Sequence, residues 1–384
     1  MANDRVYYAI QQVSIGADGS TARHVAHGVQ SIGITTTFNL EQVFELGQLA
    51  IYENVEGTPD VEVTMSKVLD GYNPLFCMAT AGQTDGPALA QRANSKCFVD
   101  LGIWDEGRES AGQASSTAGS YCSMSGLVVS SVGYNFPLDD NFTEDITLVG
   151  NYKVWGSGQA QNTISTGCGV NYFATGTSGG FAGNNDAPIG DGGVNRRENI
   201  QFATSEAETS GGDYTILPED IPGVGTSGYK NTAHVSSITV STDLSREDIF
   251  ELGSKLPYAK KVTFPVEVTC DIEVTTASGD MINALDDCTE DASCNTKSNL
   301  NERRIRIATC EGLRIWLGQK NKLASVSYGG GDAGGGNATV TYSYSTFNDC
   351  TVMHSGDVAA QGGSSSGTTW WNNRQTYIGS GVYY

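Results

Sequence analysis

Residues 31–52 read SIGITTTFNLEQVFELGQLAIY, and residues 237–258 read SITVSTDLSREDIFELGSKLPY. At a constant offset of 206 residues, nine of the twenty-two aligned positions are identical, and four of them form the unbroken word FELG. A chain that contains one supersecondary unit twice is predicted to fold as two copies of one domain.

The first part of each unit is predicted to be a strand. Ile32, Ile34 and Thr36 alternate with smaller or polar residues, and residues 238–244 repeat this alternation. A period of two is typical of a half-buried strand. The motif VEVT, at residues 61–64 and again at residues 266–269, predicts a second strand, with one residue deleted from the second copy.

Between these strands the pattern predicts a short helix. Asn39 and Gln42 have the spacing of a helix-capping box, and Gly47 can supply the left-handed conformation that ends a helix. Ser245, Asp248 and Gly253 repeat this arrangement. The unit is therefore predicted to be strand, helix, strand.

The composition predicts a mainly β protein. Strand-forming Thr, Val, Ile and Tyr are separated by clusters of Gly, Asn, Asp and Ser. We expect β-sandwich or barrel domains with one short helix each, at residues 1–156 and 231–348. Residues 157–230 read as a Gly/Ser-rich insertion or linker, in which residues 170–173 and 214–217 could form short edge strands. Residues 349–384 form an aromatic tail with Trp370, Trp371, Tyr377, Tyr383 and Tyr384, which is expected to dock on its own chain or on a neighbour.

The charge balance argues against adhesion to DNA. Twenty-two basic and forty-three acidic side chains give a formal net charge of −21, whereas phosphate binding needs Lys and Arg. An acidic wall would suit a conduit through which DNA slides, and solubility alone is the other explanation. No apolar run is long enough to span a bilayer, and residues 1–5 lack a secretory leader pattern. We therefore expect synthesis in a cytoplasm.

Nine cysteines occur without a close CxxC pair, which argues against a zinc ribbon. Their positions after the two repeats suggest equivalent disulfides, from Cys77 to Cys97 and from Cys288 or Cys294 to Cys310. Buried thiols are the alternative.

No motif predicts catalysis, a cofactor or a metal. Residues 223–228 fit GxGxxG, but no apolar strand precedes them. His24 and His27 lack the carboxylate of a zinc-protease motif, and acidic pairs such as Asp139 and Asp140 are common in turns. We expect neither an enzyme nor a cofactor.

The FELG word with its flanking strands, together with the hairpin segment GYNFPLDDNFTEDITLVG at residues 133–150, resembles the tail tube proteins of long-tailed bacteriophages. The resemblance covers about two thirds of the chain and excludes the insertion and the tail. It implies a virion structural protein of the phage tail whose inner strands join into a barrel. Rings then stack into a tube that conducts DNA into the host without binding it specifically.

The duplication extends what the resemblance implies. Six tube domains complete a ring in this family, so a chain with two domains would form a trimer with pseudo-sixfold symmetry. The implied partners are further copies of the chain and other tail proteins, namely the tape measure, the terminator and, in a contractile tail, the sheath. The repeated unit would lie at ring contacts or in the core: Asn39, Gln42, Phe44, Glu45, Leu46, Gly47, Ser245, Asp248, Phe250, Glu251, Leu252 and Gly253.

Two other functions remain open from the sequence. A two-domain β-sandwich adhesin or fibre that binds host surface glycans would explain the aromatic tail and the insertion, but not the duplicated unit. A polysaccharide depolymerase would need a carboxylate pair that the sequence does not reveal.

Overall fold

The protein is mainly β, as the composition predicts. The structure, a computed structural model, describes residues 5–18, 24–47, 49–82, 88–104, 119–157, 193–200, 202, 214–224, 233–276, 279–282, 300–331 and 336–354. The strands in these ranges are β1 Gln11–Ala17, β2 His24–Val25, β3 Val29–Phe44, β4 Ile51–Val68, β5 Cys97–Ile103, β6 Ser120–Pro137, β7 Thr143–Gly150, β8 Tyr152–Ser157, β9 His234–Asp243, β10 Arg246–Ile249, β11 Ala259–Val262, β12 Glu267–Thr275, β13 Arg306–Ala308, β14 Leu313–Trp316, β15 Lys322–Gly329, β16 Thr339–Phe347 and β17 Thr351–His354.

Helices are few and short in the part of the chain that the structure describes. The α-helices are α1 Leu75–Ala79 and α2 Leu89–Arg92, and 3-10 turns cover Tyr8–Ile10 and Arg197–Asn199. Both α-helices belong to the first copy, so the expectation of one helix in each copy is not met within the described residues. None of the helices in the described ranges is long and apolar enough to cross a membrane.

One antiparallel sheet runs through both copies of the repeat. Eight of its strands follow the order β3-β4-β7-β6-β9-β12-β16-β15. The first four strands come from the first copy and the last four from the second, and the β6–β9 ladder joins them. A single buried apolar cluster also extends through both copies. We call these eight strands the main sheet.

A second layer covers one face of the main sheet. The first half of β6 pairs with β5 and β8, and β5 continues through β1 to β2. At Gly126, where φ is +67°, β6 passes from this layer into the main sheet. In the second copy, β13, β14 and β17 form a smaller sheet. Buried side chains from both layers form the core, which gives each copy the predicted sandwich arrangement.

The predicted helix at the FELG word is wrong. β3 continues through Phe44 and turns back into β4, while β10 and β11 form the corresponding hairpin in the second copy. Gly47 and Gly253 have φ values of +96° and +94°, because the left-handed conformation serves a tight turn between strands as well as a helix end. We call residues 38–59 the first hairpin and residues 244–265 the second hairpin.

Cross-strand contacts replace the predicted helix caps. Asn39 donates from Nδ2 to the Thr58 carbonyl oxygen at 2.9 Å and to Asp60 Oδ2 at 2.8 Å, so it does not cap a turn at Gln42. In the second hairpin Lys260 Nζ donates to Asp248 Oδ2 at 2.7 Å. Both polar pairs connect opposite arms of a hairpin, which stabilises the extended form.

The second strands of the repeat align differently from the sequence match. Val61 lies opposite Thr36, and Val268 lies opposite Thr242, 206 residues after Thr36. The offset of the second strands is therefore 207, and the second copy has gained a residue here instead of losing one. The alignment of the two VEVT motifs was two residues out of register, an error that leaves each side chain on the correct face.

The described parts of the insertion and the tail pack on the two copies. The Asn195 N–H donates to the Leu69 carbonyl at 2.8 Å, and Ile216 exchanges two backbone hydrogen bonds with Arg306. Residues 214–217 therefore contribute the kind of edge pairing that was predicted, whereas residues 170–173 lie outside the described residues. At the other end, β17 pairs with β14, so the second copy extends at least to His354. Residues 355–384, with the tail aromatics, also lie outside.

A buried carboxylate fixes α1 against the main sheet. Glu144 on β7 is fully buried and accepts hydrogen bonds from the backbone N–H groups of Leu75 and Phe76, at 2.5 and 3.0 Å. Tyr134 donates its hydroxyl to the same carboxylate at 2.9 Å. Burial raises the pKa of Glu144, and the two N–H groups partly offset that effect. Buried Lys67 lies nearby and pairs with Asp70 at 3.1 Å.

Candidate assembly interface

The two copies are joined head to tail by one strand ladder. The second half of β6 pairs with β9 from Ser131 opposite Asp243 to Pro137 opposite Ser237. The apolar side chains of both strands at this joint are buried, including Tyr134 at 2% exposure and Val240 at 2%. We call this ladder the internal joint.

The counterparts of these two strands lie at the two edges of the main sheet. β3 corresponds to β9 through the sequence repeat. β15 corresponds to the second half of β6, because both strands carry a register shift at the same place, between Val129 and Ser131 and between Leu323 and Ser325. Within the described residues, β3 pairs only with β4 and β15 only with β16. The β6–β9 ladder is thus formed within the chain, while β15 and β3, the two strands that would form an equivalent ladder, lie at opposite edges of the main sheet.

Side-chain exposure at the edges differs from exposure at the internal joint. Tyr328 on β15 is 54% exposed, whereas its counterpart Tyr134 is 2% exposed. Ile34 on β3 is half-buried, whereas its counterpart Val240 is buried. The edges therefore carry apolar groups of the kind that the internal joint covers, and such long unpaired edges readily accept another strand.

The face of the main sheet opposite the core is polar and acidic. Along each strand it carries mainly Ser, Thr and Gly, as at Ser131, Gly133 and Thr147. In the eight strands outside the hairpins, its charged residues are Asp60, Glu62, Asp145, Asp243, Glu267, Asp271, Glu273 and Lys322. We call this surface the open face. Seven carboxylates against one ammonium group make it a surface that repels phosphate.

Both hairpins present apolar side chains to solvent. The residues are Phe38, Leu40, Val43, Phe44, Leu46, Leu49, Ile51, Tyr52 and Val55 in the first hairpin, and Phe250, Leu252, Leu256, Tyr258 and Phe264 in the second. Leu46 and Leu252 are fully exposed, at 104% and 105%. A cluster of this kind on a surface usually marks an interaction site.

The sequence-predicted residues of the repeated unit are divided between these hairpins. Phe44 and Phe250 are 64% and 55% exposed, so placement in the core is wrong for both. Glu45 and Glu251 are exposed at the turns. Contacts of these residues with other subunits stay a prediction.

The candidate disulfides also stay predictions. The structure carries thiols at Cys77 and Cys97, both buried, and burial raises the pKa of Cys97 to about 12. Cys310 is exposed, while Cys288 and Cys294 lie outside the described residues. Peptide mapping without reduction would test both pairs.

The edge residues were missed by the sequence reasoning. Ile34 belonged to a predicted strand, and residues 323–328 lay in the second predicted β domain, but neither was assigned to an edge. The sequence does not show which of Tyr134 and Tyr328 is exposed, because both are tyrosines in the same kind of strand. Only the strand order separates them.

Comparison with known proteins gives distant structural neighbours only. No protein-family model matches the chain, and no curated protein matches it. Among solved structures, the chain is similar to a protein of the anti-feeding prophage baseplate, with 10% identity and a TM-score of 0.31, covering 41% of this chain and 98% of that one. Two others come from the anti-feeding prophage cap, which terminates its tube, and from the sheath–tube complex of an extracellular contractile injection system. They have 12% identity each, TM-scores of 0.30 and 0.29, and cover 41% of this chain and 95% and 94% of theirs.

Proposed function

We propose that the protein is a structural, non-catalytic subunit of a phage tail tube, and that its copies join edge to edge into closed rings. The internal joint is the observation that carries this proposal. In this joint a β6-type strand pairs with β9, the counterpart of β3, and each chain has one more strand of each type at its edges. A heterologous contact of this kind closes into a ring when the rotation per subunit allows it.

The internal joint supplies the register of the proposed joint between chains. Gly133 lies opposite Ser241 in the internal joint. Their counterparts are Ser327 on β15 and Thr35 on β3, so Ser327 of one copy would lie opposite Thr35 of the next. Tyr328 would then lie opposite Ile34, and both side chains would be covered as Tyr134 and Val240 are.

Three copies give a lumen of suitable width. Each chain contributes eight strands to the main sheet, and neighbouring strands lie about 4.8 Å apart. Two chains would make a barrel about 24 Å across between backbones and three about 37 Å, before strand tilt widens either. Side chains occupy about 5 Å on each side, so three chains leave about 27 Å for a duplex and two leave about 14 Å.

The open face would line this lumen, because the second layer covers the other face of the main sheet. DNA would then pass seven carboxylates and one ammonium group from each chain. Since bound phosphates would release counterions and hold the DNA in place, an acidic wall favours passage over binding.

Negative-stain microscopy of the purified full-length protein tests the proposal. We expect rings with a central lumen, stacked into tubes at higher protein concentration. Dispersed monomers at all concentrations, or monomers that bind host glycans, would overturn it.

Charge reversal on the open face tests the role of the acidic wall. We expect the triple substitution Asp145→Lys, Asp243→Lys and Asp271→Lys to give assembled rings a salt-sensitive affinity for duplex DNA and to slow DNA passage. Retention of labelled DNA at increasing salt measures this, and the affinity should fall steeply with salt. The matched control reverses three exposed acids elsewhere, Asp18, Glu198 and Glu302. Equal retention by both variants would show that the open face does not meet the DNA.

A further inference from the structure

The second hairpin is anchored across the first copy by polar contacts. Arg246 donates from Nε to the Val129 carbonyl oxygen at 2.8 Å and from Nη2 to the Ala93 carbonyl oxygen at 2.7 Å. The Val262 N–H donates to Asn94 Oδ1 at 3.1 Å. The root of this hairpin is therefore attached to the first copy beside the internal joint.

The tip of the second hairpin also reaches the first hairpin. Thr58 donates its hydroxyl to the Lys255 carbonyl oxygen at 2.7 Å, and the Lys255 side-chain Nζ lies 3.9 Å from Glu56 Oε2. Lys260 Nζ lies 3.8 Å from Asp60 Oδ1. The tip of the second hairpin thus lies against the root of the first hairpin. Among the described residues, the tip of the first hairpin has no corresponding neighbour within the chain.

The repeat identifies the residues that would make the same contact between chains. Arg246 pairs with Val262 across its hairpin as Leu40 pairs with Glu56 across the other, so an offset of 206 holds along both arms. Leu49 therefore corresponds to Lys255. The counterpart of the Thr58–Pro59 corner is the corner at Phe264 and Pro265.

From these correspondences we infer that the first hairpin of one chain lies across the second copy of its neighbour, with Leu49 packed against Phe264. This inference rests on the proposed ring. Leu49 is fully exposed at 106% and Phe264 is 45% exposed, so both sides of the contact present apolar surface. The occupant of the surface around Phe264 is a second copy of this chain.

The contact within a chain and the contact between chains then differ in chemistry. Lys255 and Lys260 lie beside acidic groups within the chain, whereas Leu49 and Phe264 bring apolar surfaces together between chains. Apolar side chains that stay exposed in the monomer and become covered on assembly favour ring closure through the hydrophobic effect. We call this apolar contact between Leu49 of one chain and Phe264 of its neighbour the latch, and it would add to each joint between chains.

Disulfide trapping tests the latch. The chain with Leu49→Cys and Phe264→Cys is expected to give covalent oligomers under mild oxidation, and each single variant should give none. The matched control combines Leu46→Cys with Phe264→Cys, because Leu46 lies on the same hairpin and is equally exposed; no crosslink is expected from it. Crosslinks from the control as strong as those from the Leu49 pair would overturn the latch.

A substitution without sulfur chemistry provides an independent measurement. Leu49→Asp should raise the protein concentration needed for ring formation about tenfold, while Trp155→Asp, at a 53% exposed residue outside both hairpins, should leave it unchanged. The Thr35→Cys and Ser327→Cys pair in the strand ladder separates the two proposals. If that pair crosslinks and the Leu49 pair does not, the ring stands and the latch fails. If neither crosslinks, both fail.

Discussion

Replacement of Tyr328 by Ala is expected to prevent ring formation while leaving the monomer folded. Tyr328 is 54% exposed in the single chain, and its counterpart Tyr134 is 2% exposed at the internal joint. Covering the remaining half of such a side chain stabilises each joint by about 1–2 kcal/mol. This corresponds to about a 5- to 30-fold change in the association constant per joint, and a ring of three contains three joints.

Analytical ultracentrifugation over a range of protein concentrations measures the effect. The Tyr328→Ala variant should sediment as a monomer where the unchanged protein forms rings, and its thermal unfolding should be almost unaltered. Trp155→Ala is the control, because Trp155 is 53% exposed on β8, outside the main sheet. An equal fraction of rings in the Tyr328 variant would mean that the β15 edge is not covered on assembly.

Replacement of Glu144 by Ala is expected to lower the free energy of unfolding more than any other substitution named above. The substitution leaves the N–H groups of Leu75 and Phe76 and the hydroxyl of Tyr134 without their acceptor in the core. It also removes a negative group near buried Lys67. Removal of one partner from a buried charged cluster costs about 3–5 kcal/mol.

Equilibrium denaturation in urea at neutral pH measures this change. The neighbouring substitution Asp145→Ala is the control, since Asp145 points to the open face and an exposed substitution changes stability by about 0.5 kcal/mol or less. A loss below about 1 kcal/mol for Glu144→Ala would show that α1 is held by apolar packing instead of by the carboxylate.

The strands of the fold could be predicted from the sequence, but the helix at FELG could not be distinguished from a hairpin. Gly47 adopts a positive φ in either structure. Phe44 and Leu46 fit a strand as well as a helix, because residues two apart share one face of a strand. Pairing between the two arms decides between helix and hairpin. Leu40 pairs with Glu56 on the opposite arm, and a local sequence pattern around Leu40 does not include that partner.

The candidate interface was predictable only in part, for a related reason. The repeat shows that β3 and β9 are equivalent, and this was visible at the offset of 206. It does not show that β9 is covered by β6 while β3 is at an edge, because the internal joint pairs Ser131 with Asp243 across more than a hundred residues. Duplication reveals equivalent strands, and the strand order reveals which of them still needs a partner.

A crosslink across the proposed joint tests the central claim most directly. The chain with Thr35→Cys and Ser327→Cys places two thiols on directly opposed residues, where Cβ atoms lie about 5 Å apart and a disulfide can form. Single variants control for the native cysteines, and Thr35→Cys with Ser325→Cys controls for register. We predict a covalent trimer as the largest species on a non-reducing gel. Absence of any crosslink between chains, or a ladder that continues beyond the trimer, would contradict the closed ring.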